Sequence, residues 1–178
     1  MVEMSVESVR INLATNQRVV ILKEGQTDRY LFIWIANPEA YSIATELQGT
    51  SSPRPLTHDL LKSVIVELGA TLTHVMINDL SDDIFYARLV FDMSGRHVEV
   101  DSRPSDAIAL AVRMKVPIYV ADKVIEQAAV QLQNVDDEVS PGEGRSGRRE
   151  RGKAEDNLEV FRDFINTLDA LDEFGKQD

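Results

Sequence analysis

Two short polar stretches hold most of the residue types able to do chemistry in this chain, Pro53 to Asp59 (PRPLTHD) and Asp101 to Asp106 (DSRPSD). Each runs from an Arg-Pro step through a few polar residues to an aspartate and then an apolar segment: Arg54-Pro55 to Asp59-Leu60-Leu61, and Arg103-Pro104-Ser105-Asp106-Ala107-Ile108. Proline suits a first helical turn, where its missing N–H would have had no partner. A helix start presents unpaired N–H groups and partial positive charge. An arginine beside it completes a site for an oxyanion such as phosphate. Arg54, Thr57, Arg103 and Ser105 are therefore the candidates for holding substrate, and His58, Asp59, Asp101 and Asp106 the candidates for catalysis. His58 would move protons while the arginines stabilise a pentacovalent phosphate.

A plainer reading stands beside this one. Thr57, Asp59, Ser105 and Asp106 are also the residue types of ordinary helix caps. In a third reading, Arg-Asp pairs simply pin the helix starts. The repetition of Arg-Pro, with a histidine in one copy, sets site and cap level. A metal is a further option. The pair His58-Asp59 invites comparison with helical metal-dependent phosphohydrolases, but those need a histidine earlier in the chain, and the histidines here are His58, His74 and His97. With no cysteine there is no thiolate site. A divalent cation, Mg²⁺ or Mn²⁺, on Asp59, Asp101 and Asp106, with Glu39 further off, stays open, because such ions need few carboxylates.

These clusters must be positioned by the elements around them. Residues 1 to 13 alternate with one phase slip, as in a bulged strand. Arg18 to Glu24 and Tyr30 to Ala36 extend it into an antiparallel meander. Asn37-Pro38 opens a helix that stops at Gly49, with Asn37 as its cap. A second helix covers about Leu56 to Leu68, with Leu60, Leu61, Val64, Ile65 and Leu68 as its apolar stripe. Strands follow at Thr71 to Leu80, Ile84 to Met93 and His97 to Asp101, the last two joined by a Ser94-Gly95 hairpin turn. In the first of these three, Leu72, His74, Met76 and Asn78 share one face, and Thr73, Val75 and Ile77 the other. Pro104 starts a helix, Val116 to Val120 is a short strand, and Asp122 caps a final helix fading near Gln133. Trp34, Phe85, Tyr86 and Phe91 lie within apolar strands and read as core rather than as base-stacking platforms.

The expected fold is one compact α+β domain over residues 1–133, with a mixed or antiparallel sheet and several packed helices. A flexible linker, 134–157, is rich in Gly, Ser and charge. An amphipathic helix, 158–178, follows, with Leu158, Phe161, Phe164, Ile165 and Leu168 on one face. The net charge is −11, with 12 Lys+Arg against 17 Asp+Glu up to residue 133 and the remaining 7 against 13 beyond it. A polyanion would thus be held by local arginines rather than by a basic surface. There is no signal-peptide pattern and no apolar run near the ~20 residues that span a bilayer. The expectation is a cytoplasmic protein with no membrane partner. Sheet edges and the apolar tail stripe point to a homo-oligomer, a dimer being the simplest.

Three segments in order, ELQGTSSPRPLTHDLL, DIFYARLVFD and VDSRPSDAIALAVRMKVPIYV, resemble the bifunctional nuclease domain family. The resemblance runs from about Val6 to about Gln131, with the two Arg-Pro clusters as its most specific marks. The tail NLEVFRDFINTLDALDEFG is similar to the C-terminal segment of many bacterial members. The resemblance implies an α+β fold and hydrolysis of DNA and RNA. The positions that match its motifs are Arg54, Pro55, Thr57, His58, Asp59, Asp101, Arg103, Pro104, Ser105 and Asp106. The alternative within the same fold is a non-catalytic module that binds an anionic ligand.

Overall fold

Apolar alternation and turn chemistry divide the described part of the chain into eight strands and four helices, which we analysed in a computed structural model describing residues 1–12, 16–25 and 27–131. The expected linker and tail helix, 134–157 and 158–178, lie outside the described residues.

Strands β1 (Val2–Ile11), β2 (Arg18–Glu24) and β3 (Arg29–Ile35) form the anticipated antiparallel meander. The phase slip in β1 is a bulge, where register shifts between Val6 and Ser8. A second meander comprises β4 (Thr71–Ser81), β5 (Ile84–Met93) and β6 (Arg96–Ser102). Ser94 and Gly95 both take positive φ in the β5–β6 turn, the left-handed pairing that matches strand twist. The short strand β7 (Ile118–Val120) joins the two meanders, parallel to β4 and antiparallel to β1. A strand with no counterpart in the sequence reading, β8 (Val130–Gln131), adds to β3. The result is one mixed eight-stranded sheet in the order β6-β5-β4-β7-β1-β2-β3-β8.

Helices α1 (Asn37–Leu47), α2 (Thr57–Glu67), α3 (Pro104–Met114) and α4 (Asp122–Ala128) complete an α+β domain. The sequence of α3 explains its central place. Ala107, Ala109 and Ala111 are small enough for neighbours to approach closely, and all three are buried with Ile108 and Leu110. Helices α1 and α2 both pack on α3, and α3 packs on β3, β4 and β5. The core cluster joins these residues to Val20, Leu22, Leu31, Ile33, Val75 and Ile77 of the sheet.

Several expectations are corrected. Asn37 is inside α1 and Ala36 is the cap residue, while Asn37 Oδ1 accepts a hydrogen bond from Arg18 Nη1. In β4 a second bulge between Leu72 and His74 changes the phase, so that Leu72 is buried with Val75 and Ile77. One extra residue in a strand reverses the faces of everything beyond it. Trp34 is 45% exposed and Tyr86 is also exposed, so neither is a core residue. The apolar stripe of α2 does not sink into the core either. Ile65 is buried, but Leu60, Leu61, Val64 and Leu68 are exposed.

Candidate functional site

Three helix starts meet at one place, and each delivers polar side chains there. Helix α1 carries Glu39 and Ser42 in its first turns, α2 carries His58 and Asp59, and α3 carries Asp106 next to its cap residue Arg103. Prolines at positions 38 and 104 stand in the first turns of α1 and α3, where they favour helix initiation at those points.

The two polar clusters are directly bonded. His58 Nε2 lies 3.1 Å from Asp106 Oδ1, and His58 Nδ1 lies 2.9 Å from Ser42 Oγ. Arg103 grips the same aspartate in a bidentate fork, Nε to Oδ2 at 2.7 Å and Nη2 to Oδ1 at 3.0 Å. Its Nη2 also donates to Glu39 Oε1 at 2.7 Å. A carboxylate can only accept. The ionised Asp106 therefore places a proton on His58 Nε2, and a neutral ring then accepts from the Ser42 hydroxyl at Nδ1. The resulting order is serine, histidine, aspartate, arginine, glutamate.

Burial grades this chain of contacts. His58 is only 7% exposed and Ser42 is buried as well, whereas the Arg103 side chain is 64% exposed. The arginine thus faces solvent and the histidine lies deepest. Burial works to raise the Asp106 pKa, but hydrogen bonds from Arg103 and His58 outweigh it and hold the carboxyl below its ordinary range. The carboxylates of Asp106 and Glu39 push Arg103 further above its already high value, so it stays a cation throughout. Glu39 Oε2 is buried with no hydrogen-bond partner among the described residues.

A second, deeper pair lies beside the first. Arg113, 3% exposed, donates from Nε to Asp59 Oδ1 at 2.6 Å, from Nη1 to the Ala109 carbonyl at 3.0 Å and from Nη2 to the Ser42 carbonyl at 3.0 Å. The other Asp59 oxygen accepts the Leu56 N–H at 2.8 Å, capping α2. The Arg113 hydrogen bond, with the Leu56 N–H and the nearby charges, overcomes burial and lowers the Asp59 pKa. Asp59 is thereby a structural anchor for the start of α2. Arg113 and Ser42 escaped sequence reasoning. A lone arginine within the apolar run AIALAVRM was a usable signal of a buried ion pair; nothing marked Ser42.

The remaining candidates sit elsewhere or face another way. Arg54 and Thr57 are exposed at the approach to α2, and no ion pair of Arg54 is formed among the described residues. Ser105 is buried. Asp101 is exposed on β6, opposite Arg88 in the β5–β6 ladder. The carboxylates do not suit the Mg²⁺ or Mn²⁺ site that the sequence left open. Among the described residues no group of three or more His, Cys, Asp or Glu side chains is arranged to hold a metal. The cationic position between Glu39 and Asp106 is taken by Arg103, and Asp59 is committed to Arg113. Nor is any helix among the described residues long and apolar enough to cross a membrane.

Residues 20–133 match the family described as Bifunctional nuclease domain. The chain is similar to an uncharacterized protein of Mycobacterium tuberculosis strain H37Rv, 41% identical over 170 residues that cover 96% of each chain. It is also similar to Bifunctional nuclease 1 of Oryza sativa subsp. indica, 29% identical over 62% of this chain and 34% of the rice protein. Bifunctional nuclease 2 of Arabidopsis thaliana is 28% identical over 61% of this chain and 34% of its own length.

Proposed function

Given that the chain belongs to the bifunctional nuclease domain family, we propose that it hydrolyses phosphodiester bonds of DNA or RNA where Arg103 emerges from the three helix starts. The observation that carries this reading is the exposed, permanently charged Arg103, aimed by Glu39 and Asp106 and backed by the His58–Ser42 chain. A guanidinium fixed in this way offers its remaining donors to a phosphate without having to be ordered first. Arg54, exposed on the approach to α2, is the second group for the substrate backbone. A water attacking phosphorus would pass its proton to the Ser42 hydroxyl as that hydroxyl hands its own to His58 Nδ1, leaving an imidazolium held by Asp106, and the leaving oxygen would take a proton from solvent. Asp101 lies outside this arrangement and is given no role in it.

One observation favours the alternative, a module that binds an anion without cutting it. Both ring nitrogens of His58 and both oxygens of Asp106 are already engaged, so the site offers a cation but no free base. The experiment is to compare cleavage of labelled single-stranded DNA and RNA by the full chain and by Arg103→Ala. The variant should stay folded at a loss of about 1–3 kcal/mol, between an exposed and a buried ion pair, because Arg103 is exposed but Glu39 and Asp106 are largely enclosed. It should lose cleavage by about 10²-fold or more, as when an oxyanion donor is removed. Retained cleavage overturns the assignment. No cleavage by the parent, with thermal stabilisation by oligonucleotide that Arg103→Ala abolishes, establishes the binding module instead. An unfolded Arg103→Ala would make the arginine a structural pin.

A further inference from the structure

Helix α2 has three flanks, of which the one toward α3 leaves Val66 exposed. His58 and Ile65 are buried. Asp59 and Lys62 reach α3, binding Arg113 through its Nε and its carbonyl oxygen. At 100° per residue, Leu60, Leu61, Val64 and Leu68 fall together on the flank turned away from those contacts, in an arc about 100° wide. All four are between 39 and 73% exposed, and no charged residue interrupts the arc from Thr57 to Leu68. Scattered exposed leucines need no explanation, but a contiguous charge-free row on one helix does.

We propose that this flank is the interface of a two-fold homodimer in which α2 packs antiparallel on α2 of a second copy. The row itself points to a second copy as the occupant. Leu60, Val64 and Leu68 stand at i, i+4 and i+8, the ridge used when like helix surfaces interlock. A two-fold axis through Val64 sets Leu60 of each chain opposite Leu68 of the other. The smaller valines then meet at the axis, where the helices come closest, and the larger leucines fill both ends. The pattern is thus complementary to itself, as an isologous contact must be. Charge narrows the choice further. Two chains of net charge −11 repel, and this arc lets them approach without bringing carboxylates together.

Area sets the strength of the contact. A leucine or valine removes on the order of 100 Å² of apolar surface when fully buried. Four such side chains left about half exposed supply roughly 200 Å² per copy, or ~400 Å² across the pair. That is the apolar centre of a small interface, and the flanking residues of α2 must complete the roughly 1,200 Å² at the low end of stable contacts. The dimer is therefore expected at micromolar rather than nanomolar concentration. The row excludes His58 and Asp59, through which α2 is tied to Asp106 and Arg113.

Sedimentation equilibrium of the full chain from 1 to 200 µM is the test, with Val64→Asp and, as a milder change, Leu60→Ser plus Leu68→Ser. The parent should move from monomer to dimer across this range. Both variants should remain monomeric at 200 µM with the parent's circular dichroism, raising the apparent Kd at least 50-fold. Because the replaced side chains are already about half in water, the monomer fold should survive. A parent monomeric at 200 µM overturns the proposal, and so does a dimer that both variants preserve. A monomeric parent whose α2 amides are strongly protected from exchange would show that the flank is covered by another part of the same chain, which also overturns it.

Discussion

Replacing Arg113 by alanine should destabilise the domain through a mechanism that has nothing to do with substrate. The side chain is almost wholly buried, and its guanidinium satisfies Asp59 Oδ1, the Ala109 carbonyl and the Ser42 carbonyl at once. Alanine deletes all three hydrogen bonds and leaves the Asp59 charge beside a new cavity. Breaking one half of a buried ion pair costs about 3–5 kcal/mol. Asp59 is itself partly open to water, which places the expected loss near the lower end, about 3 kcal/mol. Against a typical total of ~5–15 kcal/mol this is a large fraction. Arg113→Lys should recover only part of it, because an ammonium cannot reproduce the planar fork that reaches three oxygens. Urea unfolding followed by circular dichroism measures the effect as a fall in midpoint at unchanged slope. A double-mutant cycle with Asp59→Ala should show coupling of at least about 1 kcal/mol. Parent-like stability of Arg113→Ala, or strictly additive losses in the cycle, would refute the claim that this pair anchors α2 and hence the position of His58.

Two further outcomes are expected. Asp59 and Asp106 have carboxyl pKa values lowered on folding, so their ionised forms favour the folded state. That stability is fully present above the unfolded carboxylate value near ~4 and is lost as pH falls through the folded values. The urea midpoint should stay level from neutral pH to about 5 and drop below about 4. The drop should be shallower in Asp106→Asn, and identical acid limbs for the two proteins would contradict the assignment. Trp34, the sole tryptophan, is 45% exposed. Its emission should be that of a partly hydrated indole and be readily quenched by acrylamide, and a blue-shifted, unquenched signal would place it in an apolar environment instead.

The site and the sheet were legible in the sequence to different depths. Proline steps announced the helix starts to within a residue or two because initiation is a local matter of φ preference and unpaired N–H groups, although the caps expected at Asn37 and Asp122 are held by Ala36 and Ala121. For the same reason the meanders and the Ser94-Gly95 turn were readable from alternation and turn chemistry. The face of a residue was much less readable. The bulge after Leu72 set that residue with Val75 and Ile77 rather than with His74, and the α2 leucines turned outward although their spacing looked like a core stripe. Periodicity shows that a helix has an apolar side; it does not say whether this chain supplies the cover. Strand β8 was missed because two residues carry no period, and only the edge of β3 makes them a strand.

Composition, charge and local spacing by themselves determined an acidic, cysteine-free α+β chain with two helix-starting Arg-Pro clusters in a known arrangement. Tertiary structure alone decided how those clusters are used. It brought residues 48 apart into one hydrogen bond, His58 to Asp106, and buried the histidine while leaving Arg103 in solvent. It recruited Ser42, which nothing in the sequence marked, and paired Asp59 with Arg113. The division has a physical cause. Helix initiation depends on neighbours a few residues away along the chain. Desolvation and ion pairing depend on neighbours in space, and only the packing of α1 and α2 on α3 selects them.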